Sequence, residues 1–103
     1  MRNKTYKLQK LENKRYSILV EDMESCYVCK SPFVDIHEIY GGRNRKASML
    51  NGFCVPLCRQ HHEVATNSYG ANVLLKIKCQ KKFEETHTRD EFMSIIGKNY
   101  LEG

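Results

Sequence analysis

Apolar positions along this chain fall in short clusters separated by charge, and their spacing changes from strand-like to helical past Cys58. Tyr16-Ser17-Ile18-Leu19-Val20 is rich in aromatic and β-branched side chains and reads as a short strand. Val34 to Tyr40 has the same character and is broken by Gly41-Gly42, while Phe53-Cys54-Val55-Pro56-Leu57 forms a second apolar run. Between them, Arg43-Asn44-Arg45-Lys46 is polar and turn-prone and is predicted as a basic loop joining two strands. A helix starting near Cys58 then completes a ββα unit.

Farther on, Val73, Leu74, Leu75, Ile77, Cys79 and Phe83 make a broad apolar face, with Lys76, Lys78, Lys81 and Lys82 largely outside it. This predicts a helix, although the alternation from Val73 to Ile77 also suits a strand. Thr88-Arg89-Asp90-Glu91 has capping-box spacing, and Phe92, Ile95 and Ile96 supply the buried stripe of a last helix that stops at Gly97. Ahead of the first strand, residues 2–15 carry Arg2, Lys4, Lys7, Lys10, Lys14 and Arg15 against the single acid Glu12. Leu8 and Leu11 give that run only a thin apolar stripe, so a mobile or loosely helical arm is predicted. The expected fold class is α+β, with a basic arm at 1–15 and one domain at 16–103. Within that domain the core spans about residues 24–70 and a helical part about 71–103.

Composition narrows the setting. A chain of 103 residues is one domain by size, and one short enough to gain from a metal staple. No apolar run is long enough to cross a bilayer, so no membrane partner is expected. Met1-Arg2-Asn3-Lys4 leads into more charge and not into the apolar region of a secretory signal, so a cytoplasmic location is expected. The net charge of +5 points to a polyanionic partner.

Five cysteines in a reducing compartment are ligands or free thiols before they are disulfides. Cys26-x-x-Cys29 and Cys58-x-x-His61 are paired soft ligands separated by enough chain for a hairpin. Together they can supply the four N/S donors of a tetrahedral zinc site. Cys26 to Cys29 is expected to curl into a knuckle, with Ser31-Pro32 as a further turn. Cys54 and Cys79 lie outside ligand spacing and read as small packing residues.

Five stretches together carry a likeness to a known family: Cys26-x-x-Cys29, His37-Glu38-Ile39-Tyr40-Gly41, Asn44-Arg45-Lys46, Pro56-Leu57-Cys58-x-x-His61-His62 and Gly97-Lys98-Asn99-Tyr100-Leu101. The chain resembles the HNH, or His-Me finger, nucleases, and among them the small zinc-containing members encoded by phages and prophages. The likeness covers nearly everything from Tyr16 onward. It implies a zinc-stapled ββα-metal core followed by C-terminal helices, with structural zinc on Cys26, Cys29, Cys58 and His61. It also implies a separate divalent ion (Mg, Mn, Ni or Zn) on His37 and His62, and places Glu38 where such enzymes carry the residue that activates water. The family's central Asn falls at Phe53, with Asn51 nearby, and a further helix ligand falls at Thr66.

The implied activity is phosphodiester hydrolysis: a metal-dependent DNA endonuclease or nickase of low sequence specificity. In a second register, His37 is the general base and Asp35, at i and i+2 on one strand face, is the ligand. Asp35 otherwise reads as a turn or solvent-facing residue. Arg43, Arg45 and Lys46 either keep a loop soluble or meet backbone phosphates. Tyr100 and Leu101 read as packing residues. The contrasting functional reading is a catalytically silent zinc module that binds DNA or a phage recombination or packaging protein.

Overall fold

The computed structural model describes residues 6–101. Arg2 and Lys4 of the basic arm therefore lie outside the described residues. The chain runs α1 (Tyr6–Asn13), β1 (Asp35–Glu38), α2 (Arg45–Asn51), β2 (Cys54–Leu57), α3 (Arg59–Asn67), α4 (Tyr69–Phe83) and α5 (Arg89–Ile96). It is an α+β fold in which β1 and β2 pair antiparallel, with Asp35 opposite Leu57 and His37 opposite Val55. Every residue of β2 is buried, and α3 leaves its end to pack on both strands. Pro56 is accommodated because a two-stranded sheet is all edge, and its carbonyl accepts the Tyr27 amide at 2.7 Å.

The core is aromatic. Tyr40 and Phe53, both at or beyond strand ends, meet edge to face at 5.4 Å, and Phe83 of α4 and Phe92 of α5 join them at 5.4 to 5.9 Å. These rings bury large areas and add directional ring contacts, so the two C-terminal helices are held to the sheet by few side chains. Cys54 and Cys79 are fully buried, and burial pushes each thiol up to about 12, as expected of packing residues. Thr88 and Glu91 form the expected capping box, and α5 ends where Gly97 takes a left-handed φ of 88°. Leu74, by contrast, is half exposed and stands outside the face that Leu75, Cys79 and Phe83 bury.

Two elements differ from expectation. Tyr16 to Val20 forms no strand: the Ser17 hydroxyl accepts the amides of Leu19 and Val20, and only the Ile18 amide reaches across, to Gly52 O at 2.9 Å. A local side-chain turn has won over β propensity because no third strand position is offered. The expected loop at Arg43–Lys46 is instead a 3-10 turn at Gly42–Asn44 running into α2, whose inner face buries Ser48 and Met49. Ser48 explains why the helix sits there, since its hydroxyl bonds the Tyr40 carbonyl at 2.7 Å and accepts the Tyr40 amide at 3.1 Å.

Gly52 closes α2 with a φ of 74°, and a Cβ at this position would run into the Tyr16 ring. Gly52→Ala is expected to lower the stability measured by denaturant unfolding by about 1 to 3 kcal/mol. In a Tyr16→Ala background the collision is gone and only the backbone cost, about 1 kcal/mol, is expected to remain.

Candidate metal centre

The knuckle is built by backbone hydrogen bonds. Cys26 accepts the Lys30 amide at its carbonyl (2.9 Å), donates to Ser31 O (2.8 Å), and takes the Val28 amide on its sulfur at 3.4 Å. The turn requires Lys30 at φ 67°, a conformation uncommon for a residue with a side chain. Cys58 caps α3, and His61 lies one turn in, so a single helical end delivers the other two donors. All four donor atoms lie within 4.8 Å of one another, close enough to hold a metal ion.

The individual separations test that fit. Cys29 Sγ is 3.8 Å from Cys58 Sγ, and His61 Nδ1 is 3.6 Å from Cys26 Sγ and 3.2 Å from Cys58 Sγ. Tetrahedral bonds of about 2.3 Å to sulfur and about 2.1 Å to nitrogen span edges of about 3.8 Å and about 3.6 Å, so the Cys29–Cys58 and Cys26–His61 separations agree with a small tetrahedral ion, whereas the Cys58–His61 separation is about 0.4 Å shorter than one requires. At Cys26, burial works against the thiolate, but the amides of Cys29, Cys58 and Val28 outweigh it and bring the thiol down to about 6. Such a sulfur is prepared to be a ligand.

The residues at 61 and 62 leave α3 in directions about 100° apart, as consecutive helical residues must. While His61 faces the knuckle, His62 meets His37 of β1, with ring centroids 5.1 Å apart and planes at 70°. His37 is buried, and its Nε2 is the one buried side-chain nitrogen or oxygen among the described residues without a hydrogen-bond partner. Burial, followed by the neighbouring His62, lowers the His37 pKa to about 4, against an opposing pull from Glu38 and with a smaller push from Lys76. The ring is therefore neutral near pH 7 and has a lone pair to offer.

Glu38 alternates to the other side of β1. It pairs with Arg15 through one carboxylate oxygen and with Arg45 Nε through the other at 3.2 Å, and Arg45 pairs in turn with Glu12 of α1. Arg45 is thus turned inward into an ion-pair chain, whereas Arg43 and Lys46 are exposed. Neither Arg15 nor Glu12 was singled out in the sequence as a site residue. Glu12, as the sole acid in a basic run, was the available signal. Asp35 is exposed and lines a shallow cleft with Phe33 and Arg59, a cleft that neither histidine lines. Phe53 belongs to the aromatic core, Asn51 donates its amide to Ala47 O at 2.8 Å, and Thr66 is exposed.

No protein family, curated protein or solved structure matches the chain. No described helix is long and apolar enough to cross a membrane.

Proposed function

We propose that this chain is a metal-dependent DNA endonuclease or nickase of the HNH kind, with zinc held by Cys26, Cys29, Cys58 and His61 as the staple of a ββα-metal core. The observation that carries the reading is the unpartnered, buried Nε2 of His37 beside His62. A buried imidazole nitrogen without a partner is costly, and such groups persist where a ligand supplies the missing interaction. Two imidazoles bonded at about 2.1 Å to one ion, and about 90 to 110° apart around it, have centroids separated by about 4.6 to 5.3 Å. The observed 5.1 Å falls in that interval.

A divalent ion there supplies charge neutralisation to the phosphoryl oxygens and the leaving oxygen of a phosphodiester. His37 contributes a neutral, preoriented donor from a strand, and His62 a donor from a helix fixed by the zinc. Glu38 is a proton acceptor only after Arg15 or Arg45 releases its carboxylate, and phosphates are the anions suited to draw those guanidiniums away. The same ion pairs favour a second reading, a silent zinc module that binds DNA with Glu38 serving as a structural anchor.

Supercoiled plasmid incubated with the protein and each of Mg, Mn, Ni and Zn separates the two. Nicking that falls by about 100-fold or more in His62→Ala supports the enzyme. Plasmid binding without nicking under any of the four ions supports the module. Glu38→Gln is expected to reduce nicking while leaving the midpoint of metal binding in place.

A further inference from the structure

The C-terminal segment is fastened more elaborately than packing alone requires. Gln80 of α4 is fully buried, and its amide nitrogen donates to Asn99 Oδ1 at 2.8 Å while its oxygen accepts the Tyr100 amide at 2.7 Å. Asn99 then closes on Leu101, taking its amide at 3.0 Å and donating to its carbonyl at 2.8 Å. A buried amide with partners of this quality fixes one conformation. The Tyr100 ring rests on Tyr40 at 5.6 Å, and the Tyr40 hydroxyl donates to Lys76 O at 2.6 Å.

This fastening brings two ammonium groups to one ring. Lys76 Nζ lies 5.5 Å and Lys98 Nζ 5.1 Å from the centre of Tyr100. Neither lysine forms an ion pair among the described residues, although Glu12, Glu38, Glu84 and Glu85 all do. Two like charges held near one ring, neither paired with a carboxylate among the described residues, repel each other, and cation–π attraction offsets that only in part. A bound phosphate would supply the counter-charge that no carboxylate among the described residues gives them. Tyr40, against which Tyr100 packs, lies two residues beyond the end of β1, the strand that carries His37.

We propose that Lys76 and Lys98, set by Tyr100, are a phosphate-binding site for the DNA backbone. The class of ligand rests on the reading of the protein as DNA-acting. The site contacts phosphate and not base edges, so it supplies affinity and register without sequence preference. Tyr100 is a positioning residue: it holds the two ammonium groups and does not itself contact the strand.

The test is fluorescence anisotropy of a labelled DNA duplex with no divalent ion added, over a series of salt concentrations. Lys76→Gln/Lys98→Gln is expected to weaken binding about tenfold or more at low salt and to reduce the slope of log affinity against log salt by about 1.8, the value for two lost phosphate contacts. Lys78→Gln/Lys81→Gln removes the same charge from exposed positions of α4 and is expected to change both far less. Lys76→Met/Lys98→Met, which keeps the apolar stems, is expected to match the Gln pair. Equal losses in both double variants, wild-type binding by the 76/98 variant with an unchanged thermal midpoint, or dependence on these lysines for RNA and not for DNA would overturn the site. Nicking by wild type with undiminished binding by the 76/98 variant sinks this proposal alone. Binding loss with no nicking under any metal sinks the nuclease reading and leaves the phosphate site standing.

Discussion

Cys29→Ser is expected to abolish cooperative unfolding near neutral pH and to leave the protein free of zinc, as read by thermal circular dichroism and elemental analysis. Cys29 is the informative choice because it is exposed. Serine there removes a soft ligand without opening a cavity, whereas a change at the fully buried Cys26 would mix ligand loss with packing loss. The size of the effect follows from what else holds the knuckle. Between Asn13 and Asp35 there is no helix or strand, and the knuckle is tied to β2 by one backbone hydrogen bond, Tyr27 to Pro56. Structural zinc contributes about 10 to 16 kcal/mol in small domains, against a total stability of about 5 to 15 kcal/mol for a typical domain. Cys54→Ser and Cys79→Ser are the controls: each places a hydroxyl in the core and is expected to cost about 1 to 3 kcal/mol with zinc content unchanged. A folded wild-type protein without zinc, or a Cys29→Ser protein that melts like wild type, would remove the staple from the account.

Residues whose chemistry depends on sequence spacing were legible. Cys26-x-x-Cys29 and Cys58-x-x-His61 announce a shared centre because a turn and a helix end each present i and i+3 to one side, and those four donors do come together. The Thr88–Glu91 box and the Gly97 stop were legible for the same reason: each cap is a local arrangement of a few residues. That Tyr16–Val20 forms no strand was not available to sequence reasoning, because a strand exists only if a neighbour offers an edge. Here the Ser17 hydroxyl satisfied two amides first. Helix α2 was hidden by its basic start and its seven-residue length, yet Asn51-Gly52 at its end is a C-cap signal, and Gly52 adopts the left-handed conformation that signal implies.

The charges were the least legible part. Arg45 stands among exposed basic residues in the sequence and reads as one of three equivalent phosphate contacts, but its side chain reaches Glu38 and Glu12. No spacing rule joins Glu12, Arg15, Glu38 and Arg45, because the packing of α1 against α2 brings them together. Lys76 is the converse case. Its helical position marks it as a solvated lysine, and only the return of the C-terminal segment onto α4 gives it a ring to rest on and a second ammonium for company. The periodicity of a helix tells which side chains face outward, but not what the rest of the chain then places over them.

His37→Leu is expected to make the zinc-loaded protein more stable and, on the proposed nuclease reading, to abolish manganese-dependent plasmid nicking. Leucine has nearly the volume of histidine and would fill the same buried position opposite Val55 without the unpartnered nitrogen. Removing a buried polar atom that has no partner returns its desolvation cost, so a gain of about 1 to 3 kcal/mol is expected from denaturant unfolding without added catalytic ion. Wild type is expected to gain from manganese instead, by about 2.7 kcal/mol once the ion exceeds its dissociation constant a hundredfold, and the variant is expected to gain nothing. The two curves should therefore cross as manganese is raised. His62→Leu separates this from a general effect of removing imidazoles, because His62 is only half-buried and its nitrogens are not stranded: it should lose the manganese response without the gain in its absence. Stability held in reserve at one strand position and recovered only when a cation arrives is the signature of a residue kept for binding. A His37→Leu protein less stable than wild type without manganese would mean that the ring is a packing element, and the case for a second ion would lose its main support.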